Sequence, residues 1–505
     1  MNSSQPVSPT QQTFLGHPVG LITLFFTEMW ERASYYGTRA LLVLFLVDTV
    51  SKGRGGLGMD VADATAIYGV YTGSVYLMTL AGGWIADRLL GQQRSVWYGG
   101  ILIALGNYTL AIPGGATITY IGLAVVALGT GLLKPNVSAI VGQLYPEGGA
   151  RRDAGFSIFY SGINLGALFG PLIAAFFGER YNWHYGFLVA ALGMTLGLVQ
   201  YRIYQRLLGE HGRHPHPAED PARVAHIQRR GWQYVGIGLV LLALLGVLLY
   251  SGVFDFSMVA LAQSMSVIIL VVAILFFAAV LTFGRLSSVE KKRVMVIFLL
   301  FIAAAAFWSG FEQAGSSLNI FAETYTNRNL GSFVIPAGWF QSIEPLFVII
   351  LSPIFGAFWV HLARRHLNPS MPAKFALGLV FLGISFLIMA GAADIVVHGS
   401  KALPTWLVMC YMFQTFGELC LSPVGLSSVT KLAPPRYLSQ MMGTWFMADA
   451  LGSVLAGLAA GRFNPEDLHE MPSLFMQVVY ITLGLGILFA IFARPIRKHL
   501  IGDIE

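Results

Sequence analysis

The stretch Glu28-Met-Trp-Glu-Arg-Ala-Ser-Tyr-Tyr-Gly-Thr-Arg39 lies inside an apolar segment that runs from about Leu21 to Val47. It places ionisable side chains where a membrane helix ordinarily has none. A 3.6-residue period gathers Glu28, Glu31, Arg32, Tyr35 and Arg39 along one stripe and leaves the opposite face apolar. Each charge left near mid-membrane costs roughly 2.5–3.5 kcal/mol, which local pairing offsets only in part. The stripe therefore has to face a cavity, a partner helix or both. Two readings follow: a ladder of Glu and Arg that locks helices together, or a functional site.

Working outward, the chain has 505 residues, 55% of them hydrophobic and 11% charged, against roughly 25% charged in soluble domains. It reads as a polytopic membrane protein whose partner is the lipid bilayer. The net charge of +6 sits in short loops between apolar runs, so no nucleic-acid partner is implied. The two cysteines, Cys410 and Cys420, share one segment, where ten residues of helix would hold them about 15 Å apart, too far for a disulfide. The histidines fall in loops or near span ends, without the spacing of a metal or haem site. No metal and no cofactor are expected. The first ten residues lack a positive leader followed by a short apolar core, so no cleaved signal is expected.

Apolar runs of about 20 residues predict spans near 19–48, 61–89, 95–112, 117–143, 153–178 and 184–207, then 231–251 and 261–284, then 293–325, 335–363, 373–394, 402–431, 436–461 and 472–494. The expected organisation is a tail over 1–18, a six-helix bundle over 19–207 and a Pro-containing linker over 208–230. Two accessory helices over 231–284, with Asp255 between them, a second six-helix bundle over 285–494 and a tail over 495–505 complete it. If the N-terminus is cytoplasmic, the inner connections hold 22 of the 31 Lys and Arg residues and the outer loops hold 6. That bias puts both termini inside.

The pattern Glu28-x-x-Glu31-Arg32-x-x-x-x-Gly37 resembles the first-helix signature of the proton-coupled oligopeptide transporters, a branch of the major facilitator superfamily. Gly83-Trp-Ile-Ala-Asp87-Arg88-Leu-Leu-Gly91-Gln-Gln-Arg94 resembles the superfamily's loop motif, although an ordinary basic turn reads the same way. Phe156-Ser-Ile-Phe-Tyr160-Ser-Gly-Ile-Asn164 resembles the family's Phe-Tyr-x-x-Ile-Asn signature. The resemblance implies an all-α membrane protein of major facilitator fold: two six-helix bundles plus two accessory helices, 14 transmembrane helices in all. It implies a substrate site near the bilayer midplane where the halves meet.

Lys134, in Gly129-Thr-Gly-Leu-Leu-Lys-Pro135, lies deep in the fourth span with a proline loosening the helix beside it. It either faces a cavity or snorkels to an interface. Tyr160 and Asn164 sit one turn apart, as peptide-backbone contacts or as helix-to-helix glue. Tyr76 matches a family cavity position. In the second half single acids recur in apolar spans: Glu312, Glu344 and Glu418. A carboxylate in a low-dielectric cavity responds both to burial and to a neighbouring cation, so moving the partner changes whether it holds a proton.

The resemblance implies particular roles. Glu28, Glu31, Arg32 and Glu312 couple protons, with Glu312 the partner of Arg39. Arg39 and Lys134 hold the peptide carboxylate, because Arg binds two oxygens at once. Glu418 pairs with Lys134 and, with Asn164, receives the amino group. Tyr35, Tyr36, Tyr76, Tyr160, Ser422, Trp445 and Asp449 complete the substrate-binding set; Tyr35, Tyr36, Trp308, Trp339 and Trp445 either line side-chain pockets or pack in a core. Two positions depart from the family pattern: Glu344 stands where Asn is usual, and Asp449 where a small or neutral polar residue is. Both add negative charge, so the expectation is a preference for cargo with an extra cation, or coupling to more than one proton.

The reading is a symporter that imports di- and tripeptides with protons by alternating access, in the plasma membrane (the inner membrane of a Gram-negative cell), and that works as a monomer. The alternative is the same fold with another organic ion, a drug or nitrate as cargo. An enzyme is not expected, since no nucleophile with a base and no metal cluster is present in the sequence.

Overall fold

The computed structural model describes residues 13–14, 16–49, 53–146, 149–215, 221–250, 257–463 and 468–501. Lys52, Pro217, Asp255, most of the expected N-terminal tail and the end of the C-terminal one lie outside the described residues. The helices are α1 (Gly20–Val47), α2 (Val61–Ile85), α3 (Gln92–Leu110), α4 (Gly115–Gln143), α5 (Gly149–Arg180), α6 (Trp183–Tyr204), α7 (Pro221–Tyr250) and α8 (Met258–Phe283). They continue as α9 (Ser288–Phe311), α10 (Ser317–Tyr325), α11 (Ile343–Arg364), α12 (Met371–Val397), α13 (Pro404–Leu432), α14 (Leu438–Ala460) and α15 (Met471–Pro495). Among the described residues ten spans are long and apolar enough to cross a membrane by length and composition. α1 is not one of them, because of the charges it carries.

Two expected spans differ in detail. α7 starts at Pro221 rather than 231, taking in the last part of the expected linker. Proline suits the first turn of a helix, where its missing N–H would have had no partner. The span expected over 293–325 is broken: α9 stops at Phe311, Glu312–Gly315 form one 3₁₀ turn, and α10 begins at Ser317. Such a break leaves backbone carbonyls without helical partners, and a buried one needs another donor.

By internal packing the chain falls into two compact units, Met1–Thr38 with Leu77–Ser257, and Arg39–Tyr76 with Met258–Glu505. In the first unit α5 lies against α1 through Gly166 and Gly170, four residues apart. A Cβ on either would collide with the α1 backbone at Met29 or Ala33, which is how small residues permit close helix approach in a bilayer. Polar groups add to that packing: Thr38 Oγ1 donates to Asn107 Oδ1 of α3 at 2.6 Å, and Asn107 Nδ2 donates to Ser34 Oγ at 3.2 Å. In the second unit Arg39–Val47 of α1 and Val61–Tyr76 of α2 belong with the helices from α8 onward.

Candidate functional site

In the first unit the helical period does what the spacing requires. Arg32 Nε lies 3.4 Å from Glu28 Oε1 and is also ion-paired with Glu31. All three are buried, with 3%, 2% and 0% exposure. Two acids against one base leave a surplus negative charge inside the protein, and Lys134 on α4 is close enough to Glu28 for their charges to interact. The pairing is incomplete: Glu28 Oε2, Glu31 Oε1 and Arg32 Nη2 are buried without a hydrogen-bond partner among the described residues. The Arg32 guanidinium lies 5.0 Å from the centre of the Tyr35 ring, which meets Tyr36 edge-on.

Two helical turns beyond Arg32 along α1, in the second unit, Arg39 meets groups from two other segments. Its Nε donates to Tyr68 Oη at 2.9 Å, and its Nη2 lies 3.4 Å from Glu312 Oε2. The Tyr68 hydroxyl in turn lies 3.0 Å from the Glu312 carbonyl oxygen and 3.2 Å from its Oε2, donating its one proton to either. The broken helix is what makes that carbonyl available. Gly315 makes the approach possible, since a Cβ there would run into the Tyr68 ring. Arg39, Tyr68 and Glu312 are 5%, 0% and 3% exposed, so the α1–α2–α9 junction is a buried, hydrogen-bonded ion pair. On the same junction Asn319 Nδ2 of α10 donates to the Ala40 carbonyl at 2.8 Å.

The other acids of the second unit sit close by. Glu344, in the first turn of α11, and Glu418, mid-way along α13, lie close enough to interact with each other, and Arg39 and Glu312 act electrostatically on both. Asp449 on α14 is buried. Trp445, one turn earlier, packs over Gly425 and meets Phe375 edge-on, and Trp308 is buried edge-on to Phe307 and Phe311. Tyr36, Tyr76, Lys134, Asn164, Trp339 and Ser422 are half-buried. Tyr160 is exposed on α5, and Asn164 Nδ2 donates to its carbonyl at 3.0 Å, so one amide hydrogen of Asn164 is spent within its own helix.

The structure therefore brings Arg39 and Glu312 together, as well as Arg32, Glu28 and Glu31. It adds Tyr68, which the sequence reading passed over. The available signal was a hydroxyl-bearing ring in an apolar helix, two turns before Tyr76. The proximity of Glu344 and Glu418 was equally unforeseen, because nothing in the spacing of α11 and α13 sets their register.

A sequence pattern described as the POT family matches residues 93–474. The peptide transporter YePEPT of Yersinia enterocolitica is 40% identical over 501 residues, 97% of each chain. A di-/tripeptide transporter of Lactococcus lactis is 39% identical over 509 residues, 99% of this chain and 100% of that one. Among solved structures, a peptide transporter POT in complex with sulfate matches with a TM-score of 0.89 at 40% identity, over 97% of this chain and 98% of that chain. A POT family transporter in complex with 5-aminolevulinic acid matches with a TM-score of 0.87 at 33% identity, over 97% and 99%. Fold and relatives together define a helical membrane transporter of the major facilitator fold, as the sequence led us to expect. The chain belongs to the POT family.

Proposed function

We propose that this protein is a proton-coupled symporter that imports di- and tripeptides by alternating access. The observation that carries the reading is the buried Arg39–Tyr68–Glu312 junction, in a chain whose relatives are named as peptide and di-/tripeptide transporters. An ion pair between separate helices suits this task. Protonating Glu312 removes the charge that holds Arg39, and the freed guanidinium, with its fork of donors, takes a carboxylate. In the same proposal Lys134 shares the peptide carboxylate with Arg39. Glu418 and Asn164 receive the amino group, while Glu28, Glu31 and Arg32 with Glu312 carry the proton. The remaining contacts come from Tyr35, Tyr36, Tyr76, Tyr160, Glu344, Ser422, Trp445 and Asp449. The carrier works as a monomer in the plasma membrane with both termini cytoplasmic, where the potential supplies about 2.3 kcal/mol per charge per 100 mV.

The test is dipeptide uptake into proteoliposomes under an inward proton gradient. Acid outside should drive accumulation, and a protonophore should abolish it. Glu312→Gln should lose gradient-driven accumulation, and Arg39→Ala should lose peptide uptake altogether. Glu31→Gln should weaken coupling. Accumulation that persists in Glu312→Gln sinks the coupling assignment. A second reading, cargo that is an amino acid derivative rather than a peptide, is favoured by the relative solved with 5-aminolevulinic acid. Failure of dipeptides to compete with such a substrate would establish it.

A further inference from the structure

The seam between α1 and α5 is closed by a row of glycines and opens where the row ends. Gly162, Gly166 and Gly170 of α5 recur every fourth residue, and a Cβ on any of them would crowd the α1 backbone at Phe25, Met29 or Ala33. One turn earlier the row carries Ile158, whose side chain does not permit so close an approach. A groove of about 240 Å³ lies there, lined by Leu21, Ile22, Phe25, Phe26 and Ile158. Ile158 and Phe26 are each 39% exposed, so the groove is open along its side. Its end is closed by a short hairpin in which Thr13–Phe14 pairs with His17–Pro18, and Phe14 and His17 complete the wall.

The hairpin end is also where the charge lies. Arg151 stands seven residues before Ile158, on the same face of α5 and about 10.5 Å along its axis, and it is exposed. Its Nε donates to the Gly16 carbonyl in the hairpin turn at 2.9 Å, and its guanidinium carbon lies 6.0 Å from the centre of the Tyr145 ring. His17 Nδ1 lies 2.8 Å from Tyr145 Oη. Arg151, Tyr145 and His17 therefore make one polar rim, fixed in place by contacts to the hairpin. Arg152 is turned away, over Phe156 at 5.7 Å from its ring centre and against Gly142 of α4. Asp153, two residues after Arg151, lies about 200° round the helix from it. An apolar slot with a guanidinium at one end suits an amphiphile, an acyl chain carrying an anionic head, since the arginine fork matches two phosphate oxygens. A second groove farther along the seam, about 220 Å³ and lined by Trp30, Phe169 and Ile173, has no charged side chain in its wall and nothing to select a head group.

We propose that the groove between α1 and α5 binds an anionic phospholipid, with an acyl chain against Phe25, Phe26 and Ile158 and the phosphate at Arg151 and His17. With the N-terminus cytoplasmic, as proposed above, this end of the bundle meets the inner leaflet, the one that carries anionic lipids. The bound chain braces α1 two residues before Glu28, at the entry to the Glu28–Glu31–Arg32 cluster.

The test is photo-crosslinking of the full-length protein in nanodiscs, using phosphatidylglycerol with a diazirine midway along one acyl chain and its phosphatidylcholine counterpart. Phosphatidylglycerol should label Phe25, Phe26 and Ile158 severalfold more than phosphatidylcholine does. Arg151→Gln should remove that preference. Ile158→Trp, which fills the groove and keeps the charge, should remove labelling of Phe25 and Phe26 by either lipid. Lys498→Gln, which removes an exposed cation near the other end of the chain, should change neither. Equal labelling by the two lipids in wild type, or the same loss of preference in Arg151→Gln and Lys498→Gln, overturns the site and leaves only a general attraction between basic loops and anionic lipid. A second measurement separates loss of the site from loss of the fold: phosphatidylglycerol added in detergent should raise the thermal midpoint of wild type and of Lys498→Gln by several degrees, but not that of Arg151→Gln or Ile158→Trp. A rise that persists in both of those variants overturns the proposal as well.

Discussion

The two ion-paired arginines of α1 lie seven residues apart and differ in one respect that matters. Arg32 draws both of its acids, Glu28 and Glu31, from its own helix. Arg39 draws its hydroxyl from α2 and its acid from the end of α9, and Tyr68 and Glu312 are separated by 244 residues. A helix carries its own i,i+4 pairs with it when it moves, so the Arg32 cluster keeps its geometry through any rigid displacement of α1. The Arg39 junction survives only while three segments stay together. Burial and charge type are alike in the two places, and only the second can report a change in how helices are arranged. That is the physical ground for proposing that the pairing of Glu312, rather than that of Glu28 and Glu31, changes with the arrangement of the helices.

The sharpest way to break this contrast is to remove each arginine in turn. Arg32→Ala leaves two buried acids without the cation that pairs with them, which should cost about 3–5 kcal/mol of stability. It should be read as a large fall in thermal midpoint in detergent and as poor expression. Adding Glu31→Gln to Arg32→Ala should recover part of the loss, because a neutral amide replaces one stranded charge. Arg39→Ala, by contrast, should be tolerated better, since Glu312 can take up a proton in its place while keeping the Tyr68 hydrogen bond. Equal destabilisation by Arg32→Ala and Arg39→Ala, without any pH dependence in the second, would show both to be structural ladders.

Tyr68→Phe sharpens the comparison on a smaller scale. It strands Arg39 Nε and the Glu312 carbonyl without removing a charge, so the expected cost is about 1–3 kcal/mol, with gradient-driven uptake reduced about tenfold for each 1.4 kcal/mol that falls on the transport cycle. Gly315→Ala should act in the same direction by pushing the ring off the carbonyl. Normal uptake in both would remove the tyrosine from the mechanism.

Much of this was legible in the residues, for a definite reason. The spans, the charge stripe of α1 and the Arg32 cluster depend on spacing within one segment, and a 3.6-residue period is a local property of the chain. The bias of Lys and Arg between loops is likewise a local count. Tyr68 and the Glu344–Glu418 proximity depend on which helices pack and in what register, and that is set by distributed features such as the Gly166 and Gly170 seam and the break at Glu312. No single stretch announces them. The break itself escaped because Glu312-Gln-Ala-Gly315 contains no proline, and an apolar run continues past it on both sides.

The smallest expected effect lies at the charged cluster beyond the end of α1, and it defines what burial contributes to the other two. Arg54 holds Asp48 with Nε and Nη2, both at 3.0 Å, and reaches Glu323 at 3.8 Å. Arg328 is ion-paired to the same Glu323 at 2.5 Å. Four charges therefore alternate in sign as they do in a network, yet the Arg54 side chain is 21% exposed, against 6% for Arg39. Water and salt reach Arg54, so each pair in the network should contribute about 0.2–1 kcal/mol. Arg54→Ala should lower the thermal midpoint only slightly, and the difference should fade at 1 M salt, where the screening length drops to about 3 Å. The Arg32→Ala defect should stay unchanged at the same salt, because ions do not enter its site. If instead the two defects fade in parallel, water and salt reach the α1 cluster, and its charges need no partner inside the protein.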